Sequence, residues 1–163
     1  YKTELVKFFA NAGILFGSEE VADFAIPHIH WYETRHERVE GETIPLWPLV
    51  FHDAALVCTY QGSQESAVYP KWMESMLWGY MMYFHVRNGG VNEDIFKDSL
   101  VVDEWHEKIA EAEMLSHEFM TDDFKVEKTT FSSGHSIICN FSEEDRVVDG
   151  IAVGAGDFKI LHS

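Results

Sequence analysis

The chain has 163 residues, 46% of them apolar and 14% aromatic, with a formal net charge of -16. These fractions describe a packed globular protein and exclude disorder, and no apolar run approaches the roughly 20 residues that span a bilayer. The acidity argues against nucleic acid or anionic membrane as partners, because phosphate recognition needs clustered Lys and Arg; a neutral ligand such as a sugar suits it better. A complete (β/α)8 barrel takes about 250 residues, and YKTELVKFF at residues 1–9 reads as the middle of a helix. Such a start suggests a processed, truncated or excised chain.

Residues 1–12 read as a helix, with Leu5, Phe8, Phe9 and Ala12 at helical spacing and Gly13 as its cap. Ile14, Leu15 and Phe16 form a short apolar run, expected to be a buried strand that stops at Gly17-Ser18-Glu19. Residues 25–31 read as extended or irregular because Pro27 breaks any helix, and residues 34–42 as a charged loop. Residues 44–57 (IPLWPLVFHDAALV) form a second long apolar stretch, read as a strand limited by Pro48 and interrupted by His52-Asp53. Residues 72–86 are rich in Met and aromatics and read as a buried helix ended by Arg87-Asn88-Gly89-Gly90. Residues 102–119 read as an amphipathic helix with Trp105, Ile109, Ala112 and Met114 or Leu115 on one face. The period then changes to two. Residues 124–131, the turn Ser132-Ser133-Gly134 and residues 135–141 read as a β-hairpin. Asp149-Gly150 makes a further turn before residues 151–153, and residues 158–161 read as a last strand.

Two acids follow apolar runs: Glu19 after ILFGS and Asp53 after PLVFH. In a (β/α) barrel the chemistry sits at the carboxyl ends of the strands, and an acid held there against aromatics can act as a general acid. Glycosidic cleavage commonly uses a pair of carboxylates, and Phe24, Trp31, Tyr32, Trp47 and Tyr60 are aromatics available to stack on sugar faces. The plainer alternative is that Glu19 caps the next segment and Asp53 pins a loop. His28 and His30, two apart on an extended segment, face one way and with His52 and Asp53 offer the beginnings of a metal site. Nine His residues make such a pair unsurprising by chance, so neither metal nor cofactor is expected. Cys58 and Cys139 read as buried small hydrophobes, with a disulfide left open. The acidic run at residues 104–113 reads as a solvated helix face.

Four segments in order resemble the glycoside hydrolases related to endo-α-N-acetylgalactosaminidase: GILFGSEEVADFAIP (residues 13–27), IPLWPLVFHDAALV (44–57), EMLSHEFMTDDFKVEKTTFSSGHSIICNF (113–141) and the closing DGIAV…GDFKI. The resemblance covers nearly the whole chain but only the final part of such an enzyme. It implies an α/β plus all-β architecture: residues 1–120 as the end of a (β/α)8 (TIM) barrel and residues 121–163 as a small antiparallel β-sandwich-like domain. It further implies a retaining O-glycosidase with Glu19 as general acid/base (Glu20 its rival in register) and an Asp nucleophile upstream of Tyr1. His52, Asp53, Trp31 and Trp47 would then line the sugar pocket. The missing N-terminal part of the same protein is the implied partner, and the isolated chain is expected to be inactive. Two other readings stand beside this one: a non-catalytic carbohydrate-binding or scaffold module, and a metal-dependent hydrolase using His28, His30 and His52.

Overall fold

The computed structural model describes residues 2–19, 22–34, 42–60, 69–83 and 93–162. Four strands, β1 (Gly17–Glu19), β2 (Trp31–Thr34), β3 (Leu56–Tyr60) and β4 (Met81–Tyr83), form a parallel sheet in chain order. Parallel neighbours need crossovers, and helical segments supply them. The helix α1 (Lys2–Asn11) precedes β1, and a 3-10 helix (Asp23–His28) separates β1 from β2. The helices α2 (Leu46–Phe51), α3 (Tyr69–Leu77) and α4 (Glu93–Ile109) follow β2, β3 and β4. Successive side chains on a strand point to opposite faces. Tyr32, Val57, Thr59 and Met82 are buried on the face that meets the helices, with Tyr32 against Trp47 of α2.

Glycine sets two of the helix ends. At Gly13 (φ 68) and Gly79 (φ 74) the chain enters the left-handed region. The following amides reach back five residues, Ile14 N to Phe9 O at 3.2 Å and Tyr80 N to Ser75 O at 2.8 Å. This is the Schellman pattern that satisfies otherwise orphaned carbonyls. The expected cap at Gly13 is therefore present. The helix expected over residues 72–86 ends earlier, at Leu77, and β4 begins at Met81.

Three further expectations are corrected. Ile14 to Phe16 are not a buried strand: they are coil, Leu15 is 78% exposed, and the strand starts at Gly17. The apolar run at Leu46–Phe51 is a helix, not a strand. Pro48 falls in its first turn, where a missing N–H has no intrahelical partner to lose. Pro27 likewise lies inside the 3-10 helix Asp23–His28 instead of in an extended segment. The expected charged loop over residues 34–42 falls mostly outside the described residues.

The second half is antiparallel. Strands β5 (Met114–Phe119), β6 (Val126–Phe131), β7 (His135–Asn140) and β10 (Phe158–His162) form a sheet in the order β10-β7-β6-β5. The short hairpin β8 (Arg146–Val148) and β9 (Ile151–Val153) turns at Asp149 (φ 49) and Gly150 (φ 78). The hairpin about Ser132-Ser133-Gly134 lies where the sequence predicts it, with Gly134 at φ 81. The helix expected to run to residue 119 stops at Ile109, and Met114–Phe119 is already strand. The antiparallel sheet thus starts ahead of the boundary read at residue 121.

One core runs through both halves. Met73, Met76, Leu77 and Trp105 pack in the same cluster as Met114, Phe131, Ile137 and Cys139. The Trp105 indole donates to Met76 O at 2.9 Å, tying α4 to α3. The opposite face of the sheet carries a smaller cluster, Val126 and Ile138 against Val148 and Val153 of the hairpin. Both cysteines are buried, and they form no disulfide. No helix among the described residues is long and apolar enough to cross a membrane.

Candidate functional site

The carboxyl edge of the parallel sheet holds the chemistry-bearing side chains. Glu19 is the last residue of β1 and is exposed. Register aligns it with Glu33 on β2, Cys58 on β3 and Met81 on β4. Neighbouring strands lie about 4.8 Å apart, so two carboxylates stand side by side at one level of the sheet. Burial, and after it the Glu33 carboxylate, pushes the Cys58 thiol above its ordinary range. Cys58 is therefore a packed thiol and not an activated nucleophile.

Trp31 belongs to the same face. It is two residues before Glu33 and pairs with Gly17, which is two before Glu19. A side chain at Gly17 would collide with the Trp31 indole. Glycine there lets the ring lie across the β1 backbone, leaving Trp31 42% exposed as an aromatic surface beneath the carboxylates.

The remaining sequence candidates lie elsewhere. His52 and Asp53 follow α2 and lead into the amino end of β3, whereas Glu19 closes the carboxyl end of β1. The strands are parallel, so these residues stand at opposite edges of the sheet and share no cleft. His52 is 4% exposed, with its Nδ1 2.6 Å from Ala112 O and its Nε2 3.1 Å from Gly79 O. A neutral imidazole donates to one such carbonyl and an imidazolium to both. The ring is thus a structural bolt between α2, the approach to β4 and the approach to β5. The sequence reading put His52 among the substrate-binding residues; the fold does not bring it beside Glu19. Asp53 is exposed at the same end. Trp47 lies on α2, half-buried against Tyr32 (6.0 Å) and Phe51 (4.6 Å) on the helix side of the sheet. Tyr32 is on that side too, and burial raises its phenol pKa. Glu20 lies outside the described residues.

The three histidines do not converge. His28 sits in the 3-10 helix. His30 accepts the Phe16 amide on Nδ1 at 3.2 Å and fixes the chain ahead of β1. Among the described residues no group of three or more His, Cys, Asp or Glu is arranged to hold a metal ion. Sequence reasoning missed Glu33. The signal was present in WYET, where Glu33 follows Trp31 at the strand period of two.

Parallel strands joined by helices, with acids at their carboxyl edge, make this part of the chain an α/β layer. Here an antiparallel sheet is fused to it through a common core. No protein-family model matches the chain, and no curated protein matches it either. Among solved structures the chain is similar to the alpha-N-acetylgalactosaminidase NagBb of Bifidobacterium bifidum. Against a quadruple mutant of that enzyme the TM-score is 0.71 at 22% identity, covering 86% of this chain and 24% of that one. Against its GalNAc complex the TM-score is 0.67 at 21% identity, covering 95% and 26%. The ligand-free form gives 0.69 at 22% identity, covering 86% and 24%. The likeness is one of fold, and the chain spans about a quarter of the length of these proteins.

Proposed function

We propose that the chain is part of a glycoside hydrolase and that Glu19 is its general acid/base. One observation carries the reading: an exposed carboxylate ends β1 at the carboxyl edge of the parallel sheet, in a fold shared with a solved glycosidase. In enzymes built from βα units the reacting groups lie at that edge. On this reading the four parallel strands are the last part of a closed barrel. Strands of a preceding segment of the same polypeptide continue it beyond β1, one of the two edge strands of the sheet among the described residues.

The reaction is a retaining displacement in two steps. Glu19, protonated, gives its proton to the glycosidic oxygen while a carboxylate from the preceding segment bonds the anomeric carbon and the leaving group departs. Glu19, now ionised, takes a proton from the water that attacks the same carbon and frees that carboxylate. Trp31 supplies a wall of the pocket. His52, Asp53 and Trp47 take no part in it, since they lie at the other edge or on the other face of the sheet.

The test is hydrolysis of aryl glycosides, an α-N-acetylgalactosaminide among them, by the full-length polypeptide. Glu19→Gln is expected to lower kcat/KM by about 10²–10⁴-fold where the leaving group needs protonation, and far less for activated phenols. Equal turnover by variant and parent on every leaving group refutes the assignment.

A further inference from the structure

We infer that Glu33 is a substrate-contacting residue, accepting hydrogen bonds from hydroxyl groups of a sugar seated on the Trp31 indole. The inference rests on the glycosidase reading above and extends it to a residue and a subsite. The register sets Glu33 level with Glu19 and on its face. Two carboxylates are thus held at one row of the sheet, where one can serve the proton and the other can accept from hydroxyls. Glu33 is also not a freely solvated surface charge. It is half-buried, and its neighbour in the row, Cys58, is 6% exposed.

The floor of the subsite is built at the adjoining row. Gly17 has a strand position where a side chain would ordinarily pack, and a methyl there would strike the Trp31 ring. The glycine therefore lays the indole open toward the space above the sheet. A pyranose presents one apolar C–H face and a rim of hydroxyls. An aromatic plane with acceptors standing about two residues further along the strand, roughly 6.6 Å, suits both features of one ring. Ligand sites typically combine apolar walls with a few placed polar groups in this way. A sugar resting there brings its glycosidic oxygen toward Glu19 and its hydroxyls toward Glu33. The division of labour is proton transfer by Glu19 and orientation by Glu33.

The experiment uses the full-length polypeptide and the aryl glycoside it turns over best, together with the analogues of that glycoside lacking one hydroxyl each. Wild type is expected to lose roughly 10-fold or more in kcat/KM on one or two of the deoxy analogues, as hydrogen-bonded hydroxyls require. In Glu33→Gln that same penalty is expected to shrink to less than about 3-fold, with KM raised more than kcat is lowered. Gly17→Ala is expected to raise KM through displacement of the indole. A wild type indifferent to every deoxy analogue overturns the inference, and so does a Glu33→Gln that keeps the wild-type pattern of penalties. The first result is read on wild type alone and does not depend on any variant folding. Absence of turnover by wild type on every glycoside, with Glu19→Gln equally inert, removes the glycosidase reading and this inference with it. Turnover sensitive to Glu19→Gln with unchanged deoxy penalties in Glu33→Gln removes this inference alone.

Discussion

Replacing His52 by alanine removes a side chain that joins three parts of the chain. Its Nδ1 lies 2.6 Å from Ala112 O and its Nε2 3.1 Å from Gly79 O, and the ring sits 5.0 Å from that of Phe131. Leaving a buried carbonyl without its donor costs about 1–3 kcal/mol. Removing the ring's contact with Phe131 opens a cavity worth roughly 1–2 kcal/mol more. With at least one donated bond lost, His52→Ala is expected to destabilise the fold by about 2–5 kcal/mol, a large share of the roughly 5–15 kcal/mol that domains hold. Gly79→Ala attacks the same contact from the other side. The new methyl meets the His52 ring at a residue whose φ is +74, which adds about 1–2 kcal/mol of left-handed strain. Once the ring is gone only the backbone strain remains, so the double variant should fall short of additivity by about 1–2 kcal/mol. Urea unfolding followed by far-UV circular dichroism and tryptophan fluorescence measures all four proteins. A His52→Ala loss below about 1 kcal/mol, or strict additivity, shows that the ring is not the bolt described above.

Burial first, then the neighbouring His52, holds the His106 imidazole below its ordinary value of 6.5, against the opposing pull of Asp103. Between the lowered folded value and the unfolded one the unfolded chain binds more protons, so this group withdraws stability as pH falls below about 6.5. His106→Gln should flatten the decline in urea midpoint between about pH 7.5 and about pH 5.5, and an unchanged slope counts against it. Trp105→Phe keeps the ring's edge contact with Phe131 but loses the bond to Met76 O; a loss of about 1–2 kcal/mol is expected in the same unfolding assay.

How much of this was legible in the sequence depended on what held each element. The cap at Gly13 and the β6–β7 turn at Ser132-Ser133-Gly134 were legible because local chemistry dictates them: glycine supplies the positive φ at both. The run at Leu46–Phe51 was not. Leucine, valine and phenylalanine in a short apolar run fit a strand or a buried helix equally well. What decides is packing, with Trp47 set against Phe51 on its own helix and against Tyr32 of β2. That one reversal misplaced the site. An acid after a strand lies at the carboxyl edge of the sheet, whereas an acid after a helix lies at the amino edge, so Asp53 moved away from Glu19. Met114–Phe119 was missed for a similar reason. Nothing in MLSHEF opposes helix strongly, but pairing along β6 fixes it as strand. Glu33 required the register of β1 against β2, a non-local fact that alternation within WYET only hints at.

The core that runs from α3 into β7 has a consequence for modularity. Secondary structure divides the chain into a βα part and an antiparallel part, yet Ile137 and Cys139 of β7 share one apolar interior with Met73, Met76 and Trp105, and the Cys139 thiol points its hydrogen at Met73 O, 3.7 Å away. A cut in the loop after β5 would unroof that interior on both fragments and separate β5 from its partner β6. The antiparallel sheet is therefore the lid of the helical layer and not a detachable cassette. Recombination that exchanges it between relatives has to carry α3 and α4 along, because the seam that tolerates exchange does not follow the change from helix to strand.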